Sequence, residues 1–184
     1  MKVAILFECS GTVRDAFIRH GHTAISCDIK PTESPGPHLQ GDVFSYDWSG
    51  YDLIIAHPPC TYMALSGNRW YAGTAQRQEA ADLIHKTWLL PCEKLCIENP
   101  MGQINTYLPY MPKPQYIQPY QFGHGETKRT GLWRRNLPDL KPTNIVTGRE
   151  QRIWRMGPSP ERQALRSLTY PGIAEAMACQ WGNL

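Results

Sequence analysis

Two short stretches carry groups that could react with an aromatic ring carbon. Pro58-Pro59-Cys60 follows the apolar run Tyr51-Asp-Leu-Ile-Ile-Ala56. Consecutive prolines force an extended, rigid turn and set the Cys60 thiol at a fixed height past that run. A thiol held so is a candidate nucleophile once it loses its proton. The alternative is the buried, inert state of most free cysteines. Glu98-Asn99-Pro100 follows a second apolar run, Leu95-Cys-Ile97. Partial burial there would raise the carboxyl pKa and let Glu98 act as an acid or hydrogen-bond donor. Cysteine plus glutamate, with no evident catalytic histidine, does not suit peptide hydrolysis. It suits a thiolate that attacks one ring carbon while a proton or hydrogen bond elsewhere relieves the developing charge.

Three further clusters describe a nucleoside site. Phe7-Glu8-Cys9-Ser10-Gly11 precedes a helix that begins near Thr12. Small residues at such a turn admit a ligand to the backbone and to the positive end of the helix. The dinucleotide fingerprint G-x-G-x-x-G and the phosphate-binding Gly-Lys-Ser/Thr are both missing from it. Asp28 ends the stretch His22–Cys27 and can accept from two ribose hydroxyls. Asp42, after Gly41, can accept from an adenine amino group. Together they outline an adenosine site without phosphates, which points to S-adenosyl-L-methionine. No metal is expected: Cys92 and Cys96 fall on a helix end and inside a strand, a poor knuckle for zinc.

These groups need strand ends to hold them. Lys2–Phe7, His22–Cys27, Leu39–Phe44, Tyr51–Ala56 and Leu95–Ile97 read as short strands, the most apolar ones suited to a sheet buried on both faces. Gly11–His20, Thr74–Leu90 and Gly172–Trp181 read as helices. Shorter strands are expected over Tyr116–Phe122 and Thr130–Trp133. The alternation implies an α/β fold with a mainly parallel sheet, whose ligands sit beyond the carboxyl ends of the strands.

The 184 residues favour one domain, and mean hydropathy of −0.45 with 19% charged residues fits a globular, non-membrane chain. No apolar run reaches the roughly 20 residues of a membrane span. Six cysteines without a secretory signal imply reduced thiols and a cytoplasmic location. Net charge is −2 over residues 1–120 (9 basic, 11 acidic) and +5 over 121–184 (10 basic, 5 acidic). The basic end fits either a solvated surface or a polyanionic partner.

The order of the motifs resembles that of the cytosine-5 DNA methyltransferases over nearly the whole chain. Leu6–Gly11 with Ala16-Phe17 resembles the first motif, beneath the methionine part of the cofactor. Pro58-Pro59-Cys60 resembles the nucleophile motif, Glu98-Asn99-Pro100 the Glu-Asn-Val motif, and Gly125–Thr130 the Gln-x-Arg-x-Arg motif. Tyr170–Met177 resembles the closing motif. The resemblance implies a Rossmann-like methyltransferase fold, with helices on both faces of the sheet. It also implies one catalytic domain over residues 1–184, without a target-recognition domain, as in compact phage enzymes. Cys60 would attack carbon 6 of a flipped-out cytosine, Glu98 would bind ring nitrogen 3 and the exocyclic amine, and Lys128 or Arg129 would hold the nucleotide.

The implied cofactor, S-adenosyl-L-methionine or a modified analogue, would contact Phe7, Glu8, Cys9, Ser10, Gly11 and Thr12. Asp28 and Ile29 would hold its ribose and adenine, and Asp42, Val43 and Pro58 would complete the pocket. Pro59, Asn99 and Pro100 would touch the base, as would Asn68 and Arg69 from a mobile lid over Asn68–Tyr71. The substrate would be DNA read with little sequence preference, or a free cytidine nucleotide, in a bacterial or phage-infected cell; oligomeric state is left open. Two other readings compete. His57-Pro-Pro-Cys60 is one step from the Asp/Asn-Pro-Pro-Tyr/Phe of amino-methyltransferases. A non-catalytic nucleic-acid-binding module would use Arg134, Arg135, Lys141, Arg149, Arg152 and Arg155 with Trp133 and Trp154.

Overall fold

The computed structural model describes residues 1–157 and 159–184, without the side chains of Ile153, Trp154, Pro160, Glu161, Gln163 and Ala164. The apolar runs become strands of one seven-stranded sheet: β1 (Lys2–Leu6), β2 (Thr23–Asp28), β3 (His38–Gln40), β4 (Leu53–Ala56), β5 (Lys94–Pro100), β6 (Gln115–Ile117) and β7 (Thr130–Arg135). Their spatial order is β3-β2-β1-β4-β5-β7-β6. The first five are parallel, and β7 runs antiparallel between β5 and β6. From β1 the chain winds outward to β3, then returns to β4 on the other side. The topological switch point, where such sheets open a ligand crevice, therefore lies between β1 and β4.

Both faces of the sheet are covered, which is why β4 is apolar without alternation. On one face α1 (Thr12–Arg19) and α7 (Pro171–Trp181) bury Val13, Ala16, Phe17, Ile173, Met177 and Trp181 against Val3, Ile5 and Ile55. On the other, α3 (Ala75–Trp88) and α4 (Ile104–Tyr107) bury Ala81, Ile84 and Ile104 against Ala4, Leu6 and Ile54. Short helices α2 (Asn68–Tyr71), α5 (Arg152–Arg155) and α6 (Pro160–Ser167) complete the chain.

Three sequence expectations are corrected. The third strand stops at Gln40 rather than reaching Phe44, because the Asp42 carboxylate accepts from Phe44 N at 3.1 Å and caps a tight helical turn over Val43–Ser45. The expected strand over Tyr116–Phe122 ends at Ile117. Pro119, which has no N–H for a ladder, starts another tight turn. Trp133 is no stacking surface: it is 1% exposed and its indole donates to Asn105 Oδ1 at 2.9 Å. Arg134 is drawn to Leu137 O and Asp139, and Arg135 to the carbonyls of Trp88, Leu90 and Cys92. Trp154 lies outside the described side chains. Among the described residues no helix is long and apolar enough to cross a membrane.

Candidate active site

β4 and β5 pair in parallel with Ala56 beside Ile97. The next step along both strands brings His57 beside Glu98. Their side chains, 8% and 10% exposed, meet with Nδ1 2.9 Å from Oε2. The His57 amide continues the ladder onto Leu6 O at 2.9 Å, so the ring is held from below. Burial alone would raise the Glu98 carboxyl. The hydrogen bond from His57 and the charge of Lys128 outweigh it and hold Glu98 below the usual carboxylate range. This reverses the raised pKa expected from the sequence. His57 is the site residue that motif reading missed. Its signal was positional, one residue past the last β4–β5 pair and on the face of Glu98. Its Nε2 is buried without a hydrogen-bond partner, as is Asn99 Oδ1.

Asn99 clips the two strand ends together, donating from Nδ2 to Pro58 O at 2.8 Å. The Pro58 carbonyl and its buried ring are thereby committed to the turn. Pro59 is exposed beside it, and Cys60 is half-buried. The Cys60 carbonyl accepts from Met63 N and Ala64 N at 3.1 and 2.9 Å, which closes the turn behind the thiol. Burial pushes the thiol above its ordinary pKa. The positive charge of Arg166 opposes this, Glu98 adds to it, and Lys128 opposes it. Lys128 is in turn lowered by burial and raised by Glu98 and Cys60. Thiol, carboxylate and ammonium therefore share one electrostatic neighbourhood. Cys60 and Lys128 line a cavity of about 460 Å³ together with Pro100, Arg129 and Arg166, and Glu98 lies buried behind them. Arg166 of α6 bonds Ser66 Oγ at 3.1 Å across it.

Not every substrate residue expected from the sequence faces this cavity with free groups. Asn68 Oδ1 is taken by buried Arg77 at 2.5 Å, and Arg69 lies over Trp70. The Arg129 guanidinium stacks on the Tyr116 ring, 4.3 Å from its centroid.

The first turn is built from within. Glu8 is 5% exposed, and its carboxylate accepts from Val13 N at 2.7 Å and Arg14 N at 3.2 Å, the first amides of α1. The expectation of an open helix end at Phe7–Gly11 is corrected: the amides are already satisfied. Ser10 bonds Glu8 and Thr12 at 3.4 and 3.1 Å. Phe7 (φ 59°) and Gly11 (φ 75°) both adopt left-handed backbone to make the turn. Fully buried Arg14 spreads five hydrogen bonds over Asp15, Ser26, Thr32, Ser34 O and Pro35 O, pinning the Lys30–Pro37 loop. Cys9 joins that loop through its carbonyl, which accepts from Glu33 N at 2.8 Å. Burial and Glu33 push its thiol up to about 11.

Beyond β2, Asp28 Oδ1 accepts from Lys30 N at 2.9 Å, and Ile29 is 73% exposed. Phe44 is exposed, its ring 6.3 Å from Phe7 edge to face. Val43 is buried in the core and shows a ligand no side chain. A carboxylate flanked by exposed apolar side chains, beside the switch point, can hold an adenine nucleoside. Among the described residues no group of three or more His, Cys, Asp or Glu could hold a metal ion.

No protein-family model and no curated protein matches the chain. Solved structures do. One is a candidate DNA modification methyltransferase encoded within an Escherichia coli prophage, with TM-score 0.53 and 14% identity over 79% of this chain and 52% of that one. Another is the Entamoeba histolytica methyltransferase EhMeth, with TM-score 0.52 and 16% identity over 79% of this chain and 57% of that one. The chain spans about half the length of these structures. At such identities the likeness is one of fold. The seven strands, with β7 reversed, form the Rossmann-like fold that these two methyltransferase structures share.

Proposed function

We propose that the chain is an S-adenosylmethionine-dependent methyltransferase that modifies carbon 5 of cytosine in DNA, with Cys60 as a transient covalent nucleophile. One observation supports the reading: the Cys60 thiol and the Lys128 ammonium line the 460 Å³ cavity and both feel the charge of the buried Glu98 carboxylate, at the ends of adjacent strands.

The cytosine enters that cavity out of its stack, at a cost of a few kcal/mol that pocket contacts must offset. The Cys60 thiolate adds to carbon 6, and electron density moves onto the ring. Glu98, kept ionised by His57 and Lys128, accepts from the exocyclic amine and fixes the ring orientation. Lys128 counters the charge that grows as the sulfur–carbon bond forms. Carbon 5 takes the methyl group, a base removes its hydrogen, and the thiolate leaves. The residues present fit the nucleoside half of the cofactor: Asp28 would accept from ribose hydroxyls, Ile29 and Phe44 would flank adenine, and Asp42 would accept from its amino group. When bound, that cofactor supplies an electrophilic methyl group. Glu8 and Arg14 shape the turn beneath it without offering it a bare helix end.

The test is transfer of labelled methyl to DNA, followed by nucleoside mass analysis, for the wild type and Cys60→Ala. Expected is 5-methylcytosine, or a modified 5-methyl group, with the wild type and none with the variant. DNA containing 5-fluorocytosine should trap a protein–DNA adduct, because fluorine cannot leave as a proton. Equal transfer by Cys60→Ala overturns the mechanism and favours methylation of an exocyclic amine. Preference for deoxycytidine monophosphate over DNA would move the same chemistry to the free nucleotide.

A further inference from the structure

The segment after Cys60 displays an aromatic ring that the proposed chemistry leaves unused. Trp70 is 69% exposed, whereas Trp48, Trp133 and Trp181 are buried. Its exposure does not come from a loose backbone. Buried Arg77 of α3 donates to Tyr62 O at 2.7 Å and to Asn68 Oδ1 at 2.5 Å, gripping both ends of the loop that leads to α2. Tyr62 and Tyr71 meet edge to face with centroids 4.8 Å apart. Gly67 approaches the Thr61 carbonyl so closely that a Cβ would stand 2.9 Å from it. The segment Asn68–Tyr71, expected as a lid, forms a short helix tied to α3 through Arg77, with Trp70 on its outside.

The surroundings of the ring define what fits it. The Arg69 guanidinium lies 5.2 Å from the Trp70 ring centroid. Ser66, four residues earlier, lines the Cys60 cavity together with Lys128, Arg129 and Arg166. A flat apolar face four residues along the chain from a residue that lines a cationic cleft complements a ligand with alternating aromatic faces and negative charges. Nucleic acid has that pattern, but a base inside a duplex is covered on both faces, while an unpaired base is free to stack.

We infer that Trp70 and Arg69 form a stacking platform for an unpaired base of single-stranded nucleic acid, next along the strand to the base that enters the Cys60 cavity. The inference rests on the nucleic-acid reading above and names the form of the substrate.

Its test uses the full chain without cofactor and reads binding alone. The probe is a labelled DNA oligonucleotide of about twelve nucleotides with one central cytosine, offered as a single strand, as a duplex, and as a single strand with abasic sites flanking the cytosine. Trp70→Ala should weaken binding of the intact single strand roughly 5- to 100-fold, while Trp70→Phe, which keeps a stacking face, should bind nearly as the wild type. The abasic strand should bind the wild type and Trp70→Ala alike, and the duplex should be insensitive to either change. The single strand should quench wild-type tryptophan emission and lose that effect with Trp70→Phe. Equal single-strand affinity for wild type and Trp70→Ala, or the same loss on the abasic strand, overturns the platform. Trp70-dependent binding without methyl transfer would instead remove the Cys60 chemistry and leave the platform standing.

Discussion

Replacing His57 with alanine should turn Glu98 from a stable anion into a group that resists ionisation. In the native protein the carboxylate sits behind strands β4 and β5 with Nδ1 of His57 at 2.9 Å, both side chains nearly buried. His57→Ala removes the donor and leaves burial opposed only by Lys128, so the Glu98 carboxyl should move from below its usual range to above it. Removing the hydrogen-bond donor from a buried carboxylate of this kind costs roughly 2–4 kcal/mol when the carboxylate stays ionised. For a chain of this size that is a fall in Tm of roughly 4–16 °C. The pH dependence follows from the two directions. Wild-type Glu98, with its pKa depressed, contributes stability above the unfolded value of about 4.3 and loses it as pH falls through the folded value. In the variant the folded pKa is raised. Its penalty is absent below about 4.3, grows by about 1.4 kcal/mol per pH unit up to the raised folded value, and is constant above it. Denaturant unfolding near pH 4.5 and pH 7.5 reads the difference: at pH 4.5 the gap is the stability that the depressed wild-type pKa contributes, and at pH 7.5 the penalty of the raised variant pKa adds to it. His57→Gln, which offers an amide donor, should recover part of it. A gap of equal size at both pH values, or none, would refute the claim that His57 keeps Glu98 ionised.

Arg166→Gln keeps a hydrogen-bonding group for Ser66 but removes the charge that lowers the Cys60 thiol. The midpoint of Cys60 alkylation against pH, followed by peptide mass to separate it from exposed Cys179, should therefore rise, and an unchanged midpoint would remove Arg166 from the thiol's surroundings. Asp28→Asn retains an oxygen for the Lys30 amide and loses the second strong acceptor proposed for ribose. S-adenosylmethionine affinity by calorimetry should fall on the order of tenfold, as expected for a hydrogen bond to a charged group, with Tm nearly unchanged; undiminished affinity would move the cofactor elsewhere.

What was legible in the sequence followed local rules. β1, β4 and β5 were visible because strands covered on both faces cannot alternate, and α1, α3 and α7 because their apolar residues recur at helical spacing. The strand-end clusters could be assigned to one edge of the sheet, and Cys60, Glu98 and Lys128 do share one electrostatic neighbourhood there. What escaped depended on chain segments distant from one another. His57 gains its partner 41 residues away through strand register. Nothing in the helical spacing marks Arg14 as internal, yet it is fully buried because a loop sixteen or more residues on folds over it. Glu8 read as a ligand contact, whereas the chain doubles back so that its carboxylate caps the helix it precedes. The indole of Trp133 seemed free for stacking until β7 was found to be an inner strand of the sheet, between β5 and β6.

The five bonds of Arg14 converge on one planar cation, so the rim they support has a keystone rather than a row of stitches. Thr32, Ser34 and Pro35 all bond that guanidinium, beside the separate bonds of the loop to Cys9 and Asp15, and Gly11 and Gly36 leave the room in which it sits, since a Cβ at either would strike it. Loss of that one cation would therefore release three points of the rim at once rather than one at a time.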